Sequence, residues 1–138
     1  MKTQKDNSNS TQEVKSHAFS MEHLNRIGNN DAAFNLLMLK KFSDSIIDNM
    51  QGLEEGLLNN NWVRIRNAVH KSIPSYHMMG LEKLVDCMQS IQAKIDKSEY
   101  NKEDVRLVIQ NEIDFLQKEN KNILLELTNY IKQLENNS

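Results

Sequence analysis

The segment Trp62-Val63-Arg64-Ile65-Arg66-Asn67-Ala68-Val69-His70-Lys71-Ser72-Ile73-Pro74-Ser75-Tyr76 decides the fold class. Its apolar residues Trp62, Ile65, Val69, Ile73 and Tyr76 recur at steps of three and four, which gathers them on one stripe of an α-helix. A β-strand would need a period of two. His70 lies about 100° around the helix from Val69, so its imidazole stands beside the buried seam rather than within it.

The same periodicity extends on both sides. Upstream, Phe34, Leu37, Phe42, Ile46, Met50, Leu53 and Leu57 predict a long amphipathic helix, with Asn30 as its cap and Asp31 favouring the positive end of the helix dipole. Gly52 and Gly56 weaken its last turns and permit close helix contact. A short helix is expected before it, from Ser20 through Leu24 and Ile27 to a break at Gly28-Asn29-Asn30. Asn59-Asn60-Asn61 separates the long helix from the quoted segment.

Downstream, Gly80 marks a change of direction or a close backbone contact, and Leu84, Met88, Ile91 and Ile95 give another helical face. A polar stretch from Asp96 to Asn101 precedes the last stripe, on Val105, Ile109, Ile113, Leu116, Ile123, Leu127, Tyr130 and Leu134. Asn120 falls where that stripe calls for an apolar residue, so a bend or break is expected there.

A chain of 138 residues suits one domain with a continuous core. Four Gly and one Pro are too few turn formers for many short strands. The expected class is all-α: an antiparallel up-down four-helix bundle over residues 18–138, with a short extra N-terminal helix. Residues 1–17 are polar with almost nothing apolar and are expected to be a flexible tail.

The 17 basic and 19 acidic residues are interspersed, so no basic block points to nucleic acid. Cys87, the only cysteine, cannot form an intramolecular disulfide and sits among apolar residues, which fits core filling in a reducing compartment. No stretch approaches the ~20 apolar residues of a membrane span, and the N-terminus lacks the apolar run of a signal peptide. A cytoplasmic location is expected, without membrane contact.

The run from His70 to Gly80 resembles the signature of histidine phosphotransfer (HPt) domains of bacterial phosphorelays. Pro74, Ser75 and Gly80 occupy the +4, +5 and +10 places after the acceptor histidine, while Ser72 and Ile73 depart from the apolar residue and Lys of the +2 and +3 places. The resemblance implies that His70 accepts a phosphoryl group from a receiver-domain aspartate and passes it to a second receiver. The expected partners are response-regulator receiver domains and a hybrid histidine kinase. The chain would be a monomeric carrier without catalytic activity of its own, and the receiver would supply the magnesium ion.

A neutral imidazole is a competent nucleophile, and an exposed one at the reference pKa of ~6.5 is mostly neutral near pH 7. The chemistry therefore needs access and positive charge rather than a base. With Ile73 in the Lys place, Arg66 or Lys71 is expected to supply the charge, with Ser75 in support. Pro74, His77 and Gly80 would belong to the receiver-docking surface. Pro74 also lacks an amide hydrogen for the carbonyl of His70 and is expected to kink the helix.

A metal site is not expected, because His70 and His77 stand ~10.5 Å apart along the helix axis. The sequence has no Gly-rich phosphate loop, nucleophile elbow or Cys-x-x-Cys. The alternative is a degenerate HPt domain that docks a receiver without accepting phosphate, and Ile73 is the residue that keeps it open.

Overall fold

The computed structural model describes residues 19–137, so the expected tail at 1–17 lies outside the described residues. The described chain is helical, without a strand: α1 Glu22–Gly28, α2 Ala32–Leu58, α3 Trp62–Met78, α4 Glu82–Asp96, a 3-10 turn Glu99–Asn101, and α5 Glu103–Asn136.

Side-chain caps fix two helix starts. Asp31 accepts from the Phe34 amide at 2.9 Å and Asn61 from the Arg64 amide at 3.0 Å, each satisfying a first-turn N–H that has no helical partner. The cap of α2 is thus Asp31 rather than the expected Asn30. Asn30 has φ 62° and, with Asn29 at φ 55°, forms the left-handed turn that closes α1.

The core-facing positions recur mostly at alternating steps of four and three. On α2 the buried positions are Asn35, Leu39, Phe42, Ile46, Asn49, Gly52, Leu53 and Gly56, and on α5 they are Ile109, Ile113, Leu116, Asn120, Ile123, Leu127 and Ile131. That register keeps one seam facing its neighbours along the whole helix. It also turns Leu37 outward, to 52 % exposure, against the expectation that it lies in the stripe. Trp62 and Ile73 of the expected α3 stripe are half-buried, and Ala68 and Ser72 take the inner places with Ile65, Val69 and Tyr76.

Helix α2 packs on α3 and α5, and α4 packs on α3 and α5, and all four contribute to one cluster of buried apolar residues. Partners on α3 fall as numbers rise on α2: Ser45 meets Ser75, Asn49 meets Ser72, and Glu55 meets Arg64. The two helices therefore run antiparallel. Glycine sets their closeness, since a Cβ on Gly52 would stand 2.6 Å from Ala68 Cβ and one on Gly56 would stand 2.4 Å from Ile65 Cγ1.

Helix α5 runs unbroken through Asn120, so no break occurs there. The buried amide finds partners across the core instead. Tyr76 Oη donates to Asn120 Oδ1 at 2.6 Å, Asn120 Nδ2 donates to Asn49 Oδ1 at 2.9 Å, and Asn49 Nδ2 donates to Ser72 Oγ at 3.0 Å. Ser72 Oγ in turn donates to the Ala68 carbonyl at 2.9 Å. A buried polar group costs little when its bonds are made, and this chain ties α2, α3 and α5 into one register. Burial pushes the Tyr76 hydroxyl above the ordinary phenol range. Among the described residues, no helix is long and apolar enough to cross a membrane.

Candidate functional site

Helix α3 buries Val69 completely and leaves the next residue, His70, exposed on the side that faces α4. The His70 ring Nδ1 lies 3.2 Å from Gln92 Oε1 of α4. An amide oxygen only accepts, so with Oε1 as the partner Nδ1 is the donor and Nε2 is the nitrogen left to attack an electrophile. The contact holds the ring at the α3–α4 seam.

A groove of about 440 Å³ opens beside the ring, lined by His70, Ile73 and Pro74 of α3 and by Gln89, Gln92, Ala93 and Asp96 of α4. Ile73, Pro74 and Ala93 give the groove its apolar lining, and the two glutamines and Asp96 its polar lining. Helix α3 passes through Pro74 without interruption, and the missing amide hydrogen leaves the carbonyl of His70 without its usual donor in the helix.

One turn before His70, the Arg66 side chain crosses to α4 and its Nε lies 3.0 Å from Asp96 Oδ1. Arg66 therefore borders the groove with its charge engaged. Lys71 lies on the other side of α3, with its Nζ 3.6 Å from Asp48 Oδ2, and lines a separate cleft with Asp48, Asn49 and Asn67. The structure does not bring Lys71 into the His70 groove.

Ser75 also turns toward α2. Its hydroxyl stands 2.7 Å from Ser45 Oγ and donates to the Ser72 carbonyl at 3.1 Å. His77 is exposed, with Nδ1 2.9 Å and 3.2 Å from the two carboxylate oxygens of Glu82. Gly80 adopts φ 76° and a Cβ there would lie 2.9 Å from Ser20 Cβ, so glycine both makes the turn and admits the segment entering α1. The Ser20 amide donates to the Met79 carbonyl at 2.8 Å in the same place. Of the candidate residues, Pro74 shares the groove with His70 and Arg66 borders it, whereas Lys71, Ser75 and Gly80 face other surfaces.

Gln92, Asp96 and Gln89 are the groove residues that sequence reasoning missed. Their signal was the hairpin itself. Arg66 and Asp96 lie fifteen residues to either side of Leu81, and His70 and Gln92 lie eleven to either side. Two antiparallel helices joined by a tight turn bring such mirror positions together, so Gln92 follows once the turn is placed.

On the opposite flank of α4, Ser90 and Lys94 bond the Glu112 carboxylate of α5, and Cys87 Sγ donates to the Glu112 carbonyl at 3.5 Å. Burial first, and the Glu112 charge second, push the Cys87 thiol up to about 11, with Lys94 acting the other way. That is the environment of an inert thiol.

No family model, curated protein or solved structure matches this chain.

Proposed function

We propose that this chain is a histidine-containing phosphotransfer protein, in which an antiparallel up-down four-helix bundle with a short extra N-terminal helix presents His70 to receiver domains. The observation that carries the reading is the exposed imidazole at the head of a groove, with Nδ1 3.2 Å from Gln92 Oε1 and Nε2 outside that contact.

The reaction balances without a base on this chain. Nε2 attacks the phosphorus of an aspartyl phosphate, the P–O bond to the carboxylate breaks, and the carboxylate leaves with the bonding electrons. Nδ1 keeps its proton, and the cation that forms on the ring is met by Gln92 Oε1. The second transfer reverses these bonds toward another receiver. The receiver supplies the magnesium ion and the acyl phosphate, so this chain contributes position and charge, and it acts as a carrier rather than an enzyme.

A convex helix pair suits such a role, because two proteins must bring the phosphorus in line with the ring, and an open groove allows that approach. Pro74 lines the groove that the incoming receiver would meet, and Arg66, paired with Asp96 at its edge, supplies the positive charge. The partners are receiver domains and a hybrid histidine kinase, met by a monomer in the cytoplasm.

The test is transfer of labelled phosphoryl groups from phosphorylated receivers. An acid-labile, base-stable label that vanishes in His70→Gln supports the carrier. Ile73 in the Lys place favours a second reading, a degenerate module that docks receivers without accepting phosphate. Stoichiometric receiver binding with no label at any concentration selects that module.

A further inference from the structure

We propose that Asp96 holds the Arg66 guanidinium in reserve and yields it to the phosphoryl group once His70 carries one. This rests on the carrier reading and adds a regulator of the phosphorylated state within the same groove.

Three observations converge on the pair. Arg66 and Asp96 meet 3.0 Å apart on the turn directly below the His70–Gln92 contact, and Asp96 lines the groove. A helical side chain leans toward the helix N-terminus, so the His70 ring leans toward the turn that bears Arg66. The +3 position is Ile73, and Lys71 is turned to Asp48 on α2, which leaves Arg66, one turn before His70 and paired to the groove residue Asp96, as the α3 cation engaged at the α3–α4 seam.

The pair is also weak enough to exchange. Arg66 is 31 % and Asp96 47 % exposed, and an ion pair so open to water adds little to stability. A phosphoryl group offers more charge than a carboxylate and three oxygens to the planar guanidinium fork, so it outcompetes Asp96 for the same donor. Before transfer, the groove is close to neutral around the ring. After transfer, Arg66 swings to the phosphoryl oxygens and Asp96 is left to water.

The chemistry of loading is unchanged: the N–P bond forms at Nε2 as the bond from phosphorus to the donor's leaving group breaks. Asp96 acts on the equilibrium by competing for Arg66, and touches no reacting atom. It is a positioning residue whose removal favours the loaded form.

The full chain can be loaded with phosphoramidate, whose P–N bond breaks with loss of ammonia, and phosphohistidine followed by phosphorus NMR. Asp96→Asn is expected to raise the loaded fraction of His70 at equilibrium roughly three- to tenfold in low salt, with the gain shrinking as salt screens the charges. Arg66→Gln is expected to lower it. In the Arg66→Gln background, Asp96→Asn should give at least a threefold smaller gain, because there is no guanidinium to release. Thermal melts of all four proteins should have midpoints within roughly 5 °C of one another, as for an exposed ion pair. An unchanged or lowered fraction in Asp96→Asn, or an equal gain with and without Arg66, overturns the inference while leaving the carrier reading intact. Absence of label on His70 in every protein, with phosphoramidate and with receivers alike, overturns the carrier reading and this inference with it.

Discussion

Replacing Asn120 by Leu tests whether the buried polar chain or simple apolar packing fixes the helix register. The side chains are close in size, so the substitution changes bonding more than volume. In the native core Asn120 accepts from Tyr76 Oη at 2.6 Å and donates to Asn49 Oδ1 at 2.9 Å, and both asparagines are almost wholly buried. Leucine leaves the Tyr76 hydroxyl and the Asn49 carbonyl oxygen without these partners. Each orphaned group costs about 1–3 kcal/mol, and the added apolar burial returns about 1–2 kcal/mol. From the middle of these ranges the net loss should be about 2.5 kcal/mol. Urea unfolding followed by helical circular dichroism would show it as a midpoint lowered by roughly 1–2 M, for a slope near 2 kcal/mol/M. Tyr76→Phe removes one of the two orphans, so the double variant should recover about 1 kcal/mol relative to additivity. A leucine variant as stable as the native chain, or more so, would refute the reasoning.

Further expectations concern the seam, the site and the thiol. Gly56→Ala should lower stability by about 1–3 kcal/mol despite alanine's better helix propensity, because its methyl would meet Ile65 at 2.4 Å; a thermal melt reads this. Gln92→Leu removes the acceptor that selects the His70 tautomer, and should slow phosphoryl acceptance about tenfold with the melt little changed, as stopped-time labelling with a receiver would register. Cys87 should react slowly with a disulfide reagent at pH 8 and faster as pH climbs toward its raised value of about 11. The same shift has a stability sign. The unfolded thiol ionises near 9.0 and the folded one later, so the unfolded chain binds fewer protons in between and stability falls as pH rises from about 9 to 11.

The helices were legible because their apolar residues keep a period that only an α-helix can bury on one side. Where the reading slipped, a polar residue held a core position. Asn35, Asn49 and Asn120 all lie on the four-three register, and a stripe drawn through apolar residues alone skips them and pulls in Leu37. Nothing local to Asn120 says that Tyr76 and Asn49 will meet it, since those partners lie 44 and 71 residues away in sequence. His70 was found by its place beside Val69 and by its followers Pro74, Ser75 and Gly80, but only the folded hairpin shows that Ser75 and Lys71 look toward α2. The cap at Asp31 rather than Asn30 is a one-residue choice between two competent side chains, settled by the left-handed backbone at Asn30.

The turn around Gly80 and Leu81 is a ruler for everything above it. Inserting one residue there would rotate α4 by about 100° against α3, and both cross-helix pairs would lose their alignment in a single step. Composition at the bend can drift wherever its backbone angles allow, but its length cannot. A loop of altered span would also swing the buried face of α4, with Leu84, Met88, Ile91 and Ile95, out of the core, so the span of this bend sets packing and the histidine's neighbours together.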